Sequence, residues 1–490
     1  MHQKTQTTRE PMTPVQLHPE TVEFILLSFE GPDQYSQAGG LGVRVTNLGM
    51  ALAEWGFSVH LFFVGDPNLP GYEERCDGRL RLYRWCQWIS QYHPNGVYDG
   101  EEDKLADFTA SVPPFVIEQI VRPAFARRRH VVVLAEDWQT ANPLIALSDQ
   151  LHQAGLREYA VLLWNANNTM GFERIDWPRL SFVSTLTTVS RYMKQLMRPY
   201  GLDPLIIPNG IPADLLNPVD PAAIQQVHSL LRRNGEILLF KVGRFDPAKC
   251  WWMAVEAAAQ LKHSGHPIAF ALRGGIEPHG AEVLKHAYEL GLSIRDVRGK
   301  PQGWREAVQL IQSAIQAEGP ADIYNFQFFM PQPILRPFYA AADVTLANSK
   351  HEPFGLVGLE AMAAGGIVFT GSTGETYSAN GEGAIALDTE TAEEIVLQTL
   401  RLRENPERAR AIRRAAWRTA AQFTWNKVLE VLFDKIQLSA LWQHTRPLAR
   451  STAAWPYRVL TQEWVRLRTS NPPRPYPRLE PAPNLHLAGS

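Results

Sequence analysis

Apolar residues along this chain fall into two kinds of run. Short unbroken runs such as Phe24-Ile25-Leu26-Leu27, Leu61-Phe62-Phe63-Val64, Val131-Val132-Val133-Leu134, Ile237-Leu238-Leu239-Phe240 and Ile268-Ala269-Phe270-Ala271-Leu272 read as strands buried on both faces, as in parallel sheets. Between them lie longer stretches whose apolar residues recur at helical spacing, for example from Gly42 to Trp55 and from Trp251 to His263. Strand and helix keep alternating, which predicts a doubly wound α/β architecture. Residues 66–128 interrupt the pattern. They read as a packed or lid-like insertion, with Trp85 and Trp88, three apart, as an alternative stacking surface. Arg127-Arg128-Arg129-His130 reads as a solvated helix end.

Composition narrows the class. A chain of 490 residues with 45% apolar content suffices for two or three domains with sizeable cores. Lys and Arg number 48 against 50 Asp and Glu, for a formal net charge of -2, so bulk nucleic-acid binding is not expected. The three cysteines, Cys76, Cys86 and Cys250, show no CxxC spacing, which fits a reducing compartment rather than a disulfide or zinc scaffold. No apolar run reaches about 18 residues and no signal-peptide core is present, so a cytoplasmic location without a membrane-spanning helix is expected. From Leu441 onward there are seven arginines, two acids and no lysine, which leaves contact with a membrane surface as a minor alternative.

The chemistry concentrates in Asn348 to Gly366. Pro353 and Gly355 mark a turn, and Leu356, Leu359 and Met362 then recur at helical spacing up to Gly365. The first turn of such a helix offers unpaired N–H groups and a positive dipole end, which suit a phosphate. Glu352 precedes that start, and Glu360 lies roughly 7–8 Å along the helix. An acid, a set of amides and a second acid match the hexose hydroxyls, diphosphate and ribose hydroxyls of a nucleotide sugar. Upstream, Arg244 and Lys249 flank a tight turn after the Ile237 strand, where a guanidinium fork and a point charge can grip a diphosphate.

Glu-Pro-Phe-Gly-Leu followed by Glu-Ala-Met-Ala-Ala-Gly resembles the E-x7-E motif of the retaining glycosyltransferases of the GT-B fold, family 4, the group of glycogen, starch and sucrose-phosphate synthases. The resemblance covers roughly 21–437. It extends to Gly243-Arg244 with Lys249, where Cys250 replaces a glycine, and to Gln37-Ala38-Gly39-Gly40-Leu41-Gly42, where Gln37 replaces a lysine. It extends also to Glu136-Asp137-Trp138-Gln139-Thr140, with Glu136 at a histidine position, and to Trp164-Asn165, where Trp164 replaces a histidine that contacts the transferred sugar. Gly371 to Thr376 resembles a Gly-rich turn near the donor.

The resemblance implies two Rossmann-like domains with parallel sheets facing across a cleft. A flexible arm (1–20) would precede an acceptor domain (21–205) and a nucleotide-sugar domain (206–437), with the Pro208-Asn209-Gly210 turn near the hinge. Helices at 438–470 would cross back to the first domain, and 471–490 would be a disordered Pro-rich tail. The implied activity is retaining transfer of a hexose, with glucose expected, from a UDP-, ADP- or GDP-sugar to a carbohydrate or small-molecule hydroxyl acceptor, with no metal and no cofactor. Glu352, Arg244 and Lys249 would be catalytic. Gly39, Gly40, Asn165, Phe354, Gly355, Leu356 and Glu360 would contact the donor. The replacements at Gln37 and Trp164 favour a second reading, a non-catalytic GT-B scaffold that binds a sugar or partner. An unrelated two-domain α/β enzyme, an epimerase or a dehydrogenase, is the third.

Overall fold

In the computed structural model, residues 17–232, 235–371, 377–378 and 382–451 are described. The arm up to residue 16, the tail from 452 and most of the Gly371–Thr376 turn lie outside them. The chain forms two compact α/β units. One comprises the chain up to Val189, Met193–Ile207 and the chain from Leu429; the other comprises Ser190–Tyr192 and Pro208–Val428.

The first unit is an eight-stranded sheet: β1 (Val22–Leu27), β2 (Ser58–Val64), β3 (Tyr72–Arg75), β4 (Leu80–Trp85), β5 (His130–Glu136), β6 (Ala160–Ala166), β7 (Thr185–Thr188) and β8 (Leu205–Ile206). The spatial order is β3-β4-β2-β1-β5-β6-β7-β8. Every pairing is parallel except β3 with β4. All six residues of β1 are buried, as expected of a strand covered on both faces.

Two expectations for this unit change. Residues 66–128 supply β3 and β4, and β4 extends the main sheet in parallel register with β2, from Val59 opposite Leu80 to Val64 opposite Trp85. The alternation Leu80, Leu82 inward with Arg81, Tyr83 between them carried a strand signal that the charged flanks obscured. The basic cluster is not simply solvated: Arg127 and Arg129 both pair with Glu23, at 2.8 and 3.2 Å. Glu23 is a carboxylate inside β1, 2% exposed. A charge buried in a sheet needs such partners, and they hold the Glu23 carboxyl below its usual range together with His60, against the opposing effect of burial.

The second unit is a seven-stranded, all-parallel sheet: β9 (Ile237–Val242), β10 (Ile268–Arg273), β11 (Ile294–Arg298), β12 (Ile323–Gln327), β13 (Val344–Ala347), β14 (Val368–Thr370) and β15 (Ile385–Ala386), in the order β11-β12-β10-β9-β13-β14-β15. The strand β11 has no counterpart in the hydrophobic pattern. It is an edge strand, Ile-Arg-Asp-Val-Arg, with Val297 its one fully buried side chain, and an edge needs little apolar surface.

The helix Trp425–Ser451 carries the chain back into the first unit at Leu429. There the Phe433 ring packs against Trp55, Phe57 and Phe24, with centroids at 5.3, 5.5 and 6.4 Å. Gln443 donates to the Leu162 carbonyl at 2.9 Å. No described helix is long and apolar enough to cross a membrane.

Candidate active site

In an open α/β sheet, ligands settle at the carboxyl ends of the strands where the order reverses. In the second unit that point lies between β9 and β13, since β10 and β13 flank β9 on opposite sides. The turn after β9 carries Arg244 and Lys249, and the segment after β13 carries Asn348 to Gly355. The Val344–Leu239 and Thr345–Phe240 pairings set these two segments side by side, and the Lys350 N–H donates to the Ala248 carbonyl at 2.7 Å.

The turn is shaped locally. Asp246 accepts from the Ala248 N–H at 2.8 Å and so caps the single helical turn Pro247–Lys249. Cys250 then takes φ 51° before the helix Trp251–His263, a left-handed conformation that L side chains avoid at about 1–2 kcal/mol. The resemblance places a glycine there. Cys250→Gly is therefore expected to raise stability by roughly 0.5–1 kcal/mol, read as a higher midpoint in guanidinium unfolding.

Lys249 Nζ lies 2.7 Å from Glu352 Oε2, with side chains 28% and 19% exposed. A cation and an acid that the sequence places 103 positions apart are thus in direct contact. Arg244 is open, its side chain 63% exposed and 4.0 Å from Asp246. Beneath them sits Lys241, a residue the sequence reading passed over. Its ammonium is buried, donates to Asn348 Oδ1 at 2.6 Å and to the Leu346 carbonyl at 3.3 Å, and lies 5.1 Å from the centroid of the Trp251 ring. Burial pushes its pKa down to about 7. A lone lysine inside the run Ile237–Val242 was the available signal. Its role is to pin Asn348, the first residue of the acidic segment.

Gly355 adopts φ 86° and opens the helix Leu356–Ala363. Its conformation is one that only glycine takes freely, and its carbonyl accepts from the Tyr377 hydroxyl at 2.6 Å. Phe354 is 2% exposed and stands edge-on to Tyr377 and Phe423, so it anchors the turn. Leu356 is half-buried. Glu360, half-buried on the same helix, accepts from the Tyr339 hydroxyl at 3.5 Å. Burial pushes its carboxyl up to about 7 against hydrogen bonds from Gln332 and Tyr339.

The first unit has its own reversal point, between β1 and β5. The turn after β1 opens the helix Gly40–Glu54. Its Gly39 and Gly42 N–H groups both donate to Glu30 Oε2 at 3.0 Å, and the Tyr98 hydroxyl donates to Glu30 Oε1 at 2.6 Å. The Gly39 amide is therefore already held by a carboxylate, although the resemblance has Gly39 contacting the donor. Gly40 is exposed at the helix start.

Asn165 is 4% exposed, gives its Nδ2 to Glu136 at 2.8 Å and receives the Thr187 hydroxyl at 2.9 Å. Its polar groups serve the fold. Trp164 is fully buried and packs on Trp177 and Phe172, so it faces the core. Glu136 pairs with Arg44 at 3.1 Å, both buried.

Residues 224–419 match the family model of glycosyl transferases group 1. The chain is 30% identical over 251 residues to the D-inositol 3-phosphate glycosyltransferase of Thermomonospora curvata, across 49% of this chain and 53% of that protein. The chain thus spans about half the length of the first such relatives. The sucrose-phosphate synthase of Thermosynechococcus elongatus shares the fold with TM-score 0.58 at 22% identity, over 88% of this chain and 100% of that one. So does the catalytic domain of Starch Synthase IV from Arabidopsis thaliana, bound to ADP and acarbose, with TM-score 0.58 at 15% identity over 86% and 99%. The fold is that of the GT-B glycosyltransferases. The likeness to the glycosyl transferases group 1 is carried by residues 224–419.

Proposed function

We propose that the protein is a retaining hexosyltransferase that moves a hexose from a nucleoside-diphosphate sugar to a hydroxyl acceptor without a metal. The observation that carries this reading is the contact of Lys249 with Glu352 at the β9/β13 reversal point. Transfer requires neutralisation of the leaving diphosphate and a fixed orientation of the hexose. Arg244 and Lys249 would provide the first, together with the amides that open the helix Leu356–Ala363. Glu352 would accept hydrogen bonds from hexose hydroxyls, and Glu360 from the ribose. Phe354 and Gly355 would hold the turn that presents those amides. The donor resemblance at the first unit is weaker, because the polar groups of Gly39 and Asn165 are committed within the fold.

The buried Trp164 favours a second reading, a scaffold that binds a nucleotide sugar without transferring from it. One experiment separates the two. UDP-, ADP- and GDP-glucose are each incubated with the purified full chain, and nucleotide release is followed with and without sugar acceptors. Release with one donor supports the transferase; saturable binding with no release of any donor supports the scaffold.

A further inference from the structure

We infer that Glu277 is a positioning residue for Arg244: it fixes the peptide that follows Arg244 and so sets where the open guanidinium stands. This rests on the reading above, in which Arg244 meets the diphosphate.

The turn after β9 and the turn after β10 are joined along their backbones. The Gly243 N–H donates to the Arg273 carbonyl at 3.1 Å. The Phe245 N–H donates to Glu277 Oε2 at 2.9 Å. The peptide between Arg244 and Phe245 is held at its other end too. Its carbonyl accepts from the Trp251 indole N–H at 2.7 Å and from the Asp246 N–H at 2.9 Å. With three partners on one peptide, the root of the Arg244 side chain has little freedom to turn.

Packing repeats the constraint. Phe245 is 5% exposed, and its ring lies against Trp251 with centroids 4.7 Å apart. It fills space that two glycines leave. A Cβ on Gly274 would stand 1.8 Å from Phe245 Cε2, and one on Gly280 would stand 2.4 Å from Phe245 Cδ2. The β10 turn is therefore a fitted wall for the residue next to Arg244.

The side chain of Arg244 is left open by contrast, 63% exposed and 4.0 Å from Asp246. Glu277 spends its oxygen on an amide and not on that guanidinium, so the cation stays available to an incoming anion. A fixed root with an open fork is what orientation of a diphosphate requires, since a small misplacement of such a group is costly. Arg273 also feels the Glu277 charge. Glu277→Gln separates that charge from the hydrogen bond, because the amide keeps an acceptor and carries no charge.

The test is a cycle of Glu277→Ala and Arg244→Ala in the purified full chain. Affinities for UDP, ADP and GDP are read by calorimetry, and kcat/KM with whichever of the three glucose donors is turned over. Glu277→Ala alone is expected to lower affinity and kcat/KM about tenfold. In the Arg244→Ala background the same change is expected to cost less than about twofold, because the residue it acts through is gone. Glu277→Gln is expected to recover most of the loss. An equal loss in both backgrounds, a loss in Glu277→Gln as large as in Glu277→Ala, or no loss in Glu277→Ala overturns the positioning role alone. Unchanged affinity in Arg244→Ala, or no binding of any of the three nucleotides to the wild type, overturns the diphosphate reading and this inference with it.

Discussion

Lys249→Ala is expected to lower kcat/KM for hexose transfer about a hundredfold while the protein stays folded. Loss of one preorganised charge from developing negative charge costs about 2.7–4 kcal/mol. The effect on stability should be small, because Lys249 and Glu352 are partly exposed and such pairs contribute about 0–1 kcal/mol. Glu352→Gln should give a loss of at least tenfold, since the amide keeps one acceptor and loses the charge-assisted hydrogen bond to a hexose hydroxyl.

The double variant distinguishes the roles. If Lys249 acts only by orienting Glu352, the double variant is no slower than the worse single one. If Lys249 meets the diphosphate itself, the two losses multiply in large part. Steady-state kinetics with thermal unfolding as a control decides between these, and unchanged kcat/KM in a folded Lys249→Ala protein would remove the assigned role.

Affinity for the nucleoside diphosphate should fall about tenfold from pH 8 to pH 6. In the proposed reading ribose hydroxyls donate to the carboxylate form of Glu360, and protonation weakens it as an acceptor. With its carboxyl at about 7, roughly nine-tenths is ionised at pH 8 and one-tenth at pH 6. Glu360→Gln should bind more weakly at pH 8 and lose this component of the pH dependence. Comparison with that variant removes the contribution of the ligand's own phosphate, which titrates near about 6.

The sign for stability runs the other way. The folded carboxyl binds its proton more tightly than the unfolded one, whose ordinary value is 4.5. Stability from this group is therefore present below 4.5 and is lost as pH rises through about 7. Calorimetric titration with UDP or ADP at three pH values checks the first effect, and denaturant midpoints over the same range check the second. A profile identical in wild type and Glu360→Gln would show that Glu360 does not meet the ribose.

The fold class was open to reading because burial on both faces forces parallel strands into unbroken apolar runs, and β1, β5, β9 and β10 are such runs. The segment Asn348–Gly366 was legible for a related reason. Its turn, glycine and helix are consecutive, so local punctuation states its geometry, and Gly355 with φ 86° at the start of Leu356–Ala363 is that geometry. Strands with little apolar surface, β4 and β11, left weaker marks.

What the tertiary structure alone decided is which polar groups meet. Pairing of β9 with β13 brings Lys249 to Glu352 across 103 positions. Closure of the turn after β1 gives the Gly39 and Gly42 amides to Glu30, although the resemblance has Gly39 contacting the donor. Core packing turns Trp164 inward and engages both ends of the Asn165 amide. Hydrophobic period is a local property of the chain and survives in one dimension. A hydrogen bond or ion pair belongs to two segments at once, so it exists only after the sheets have set their order.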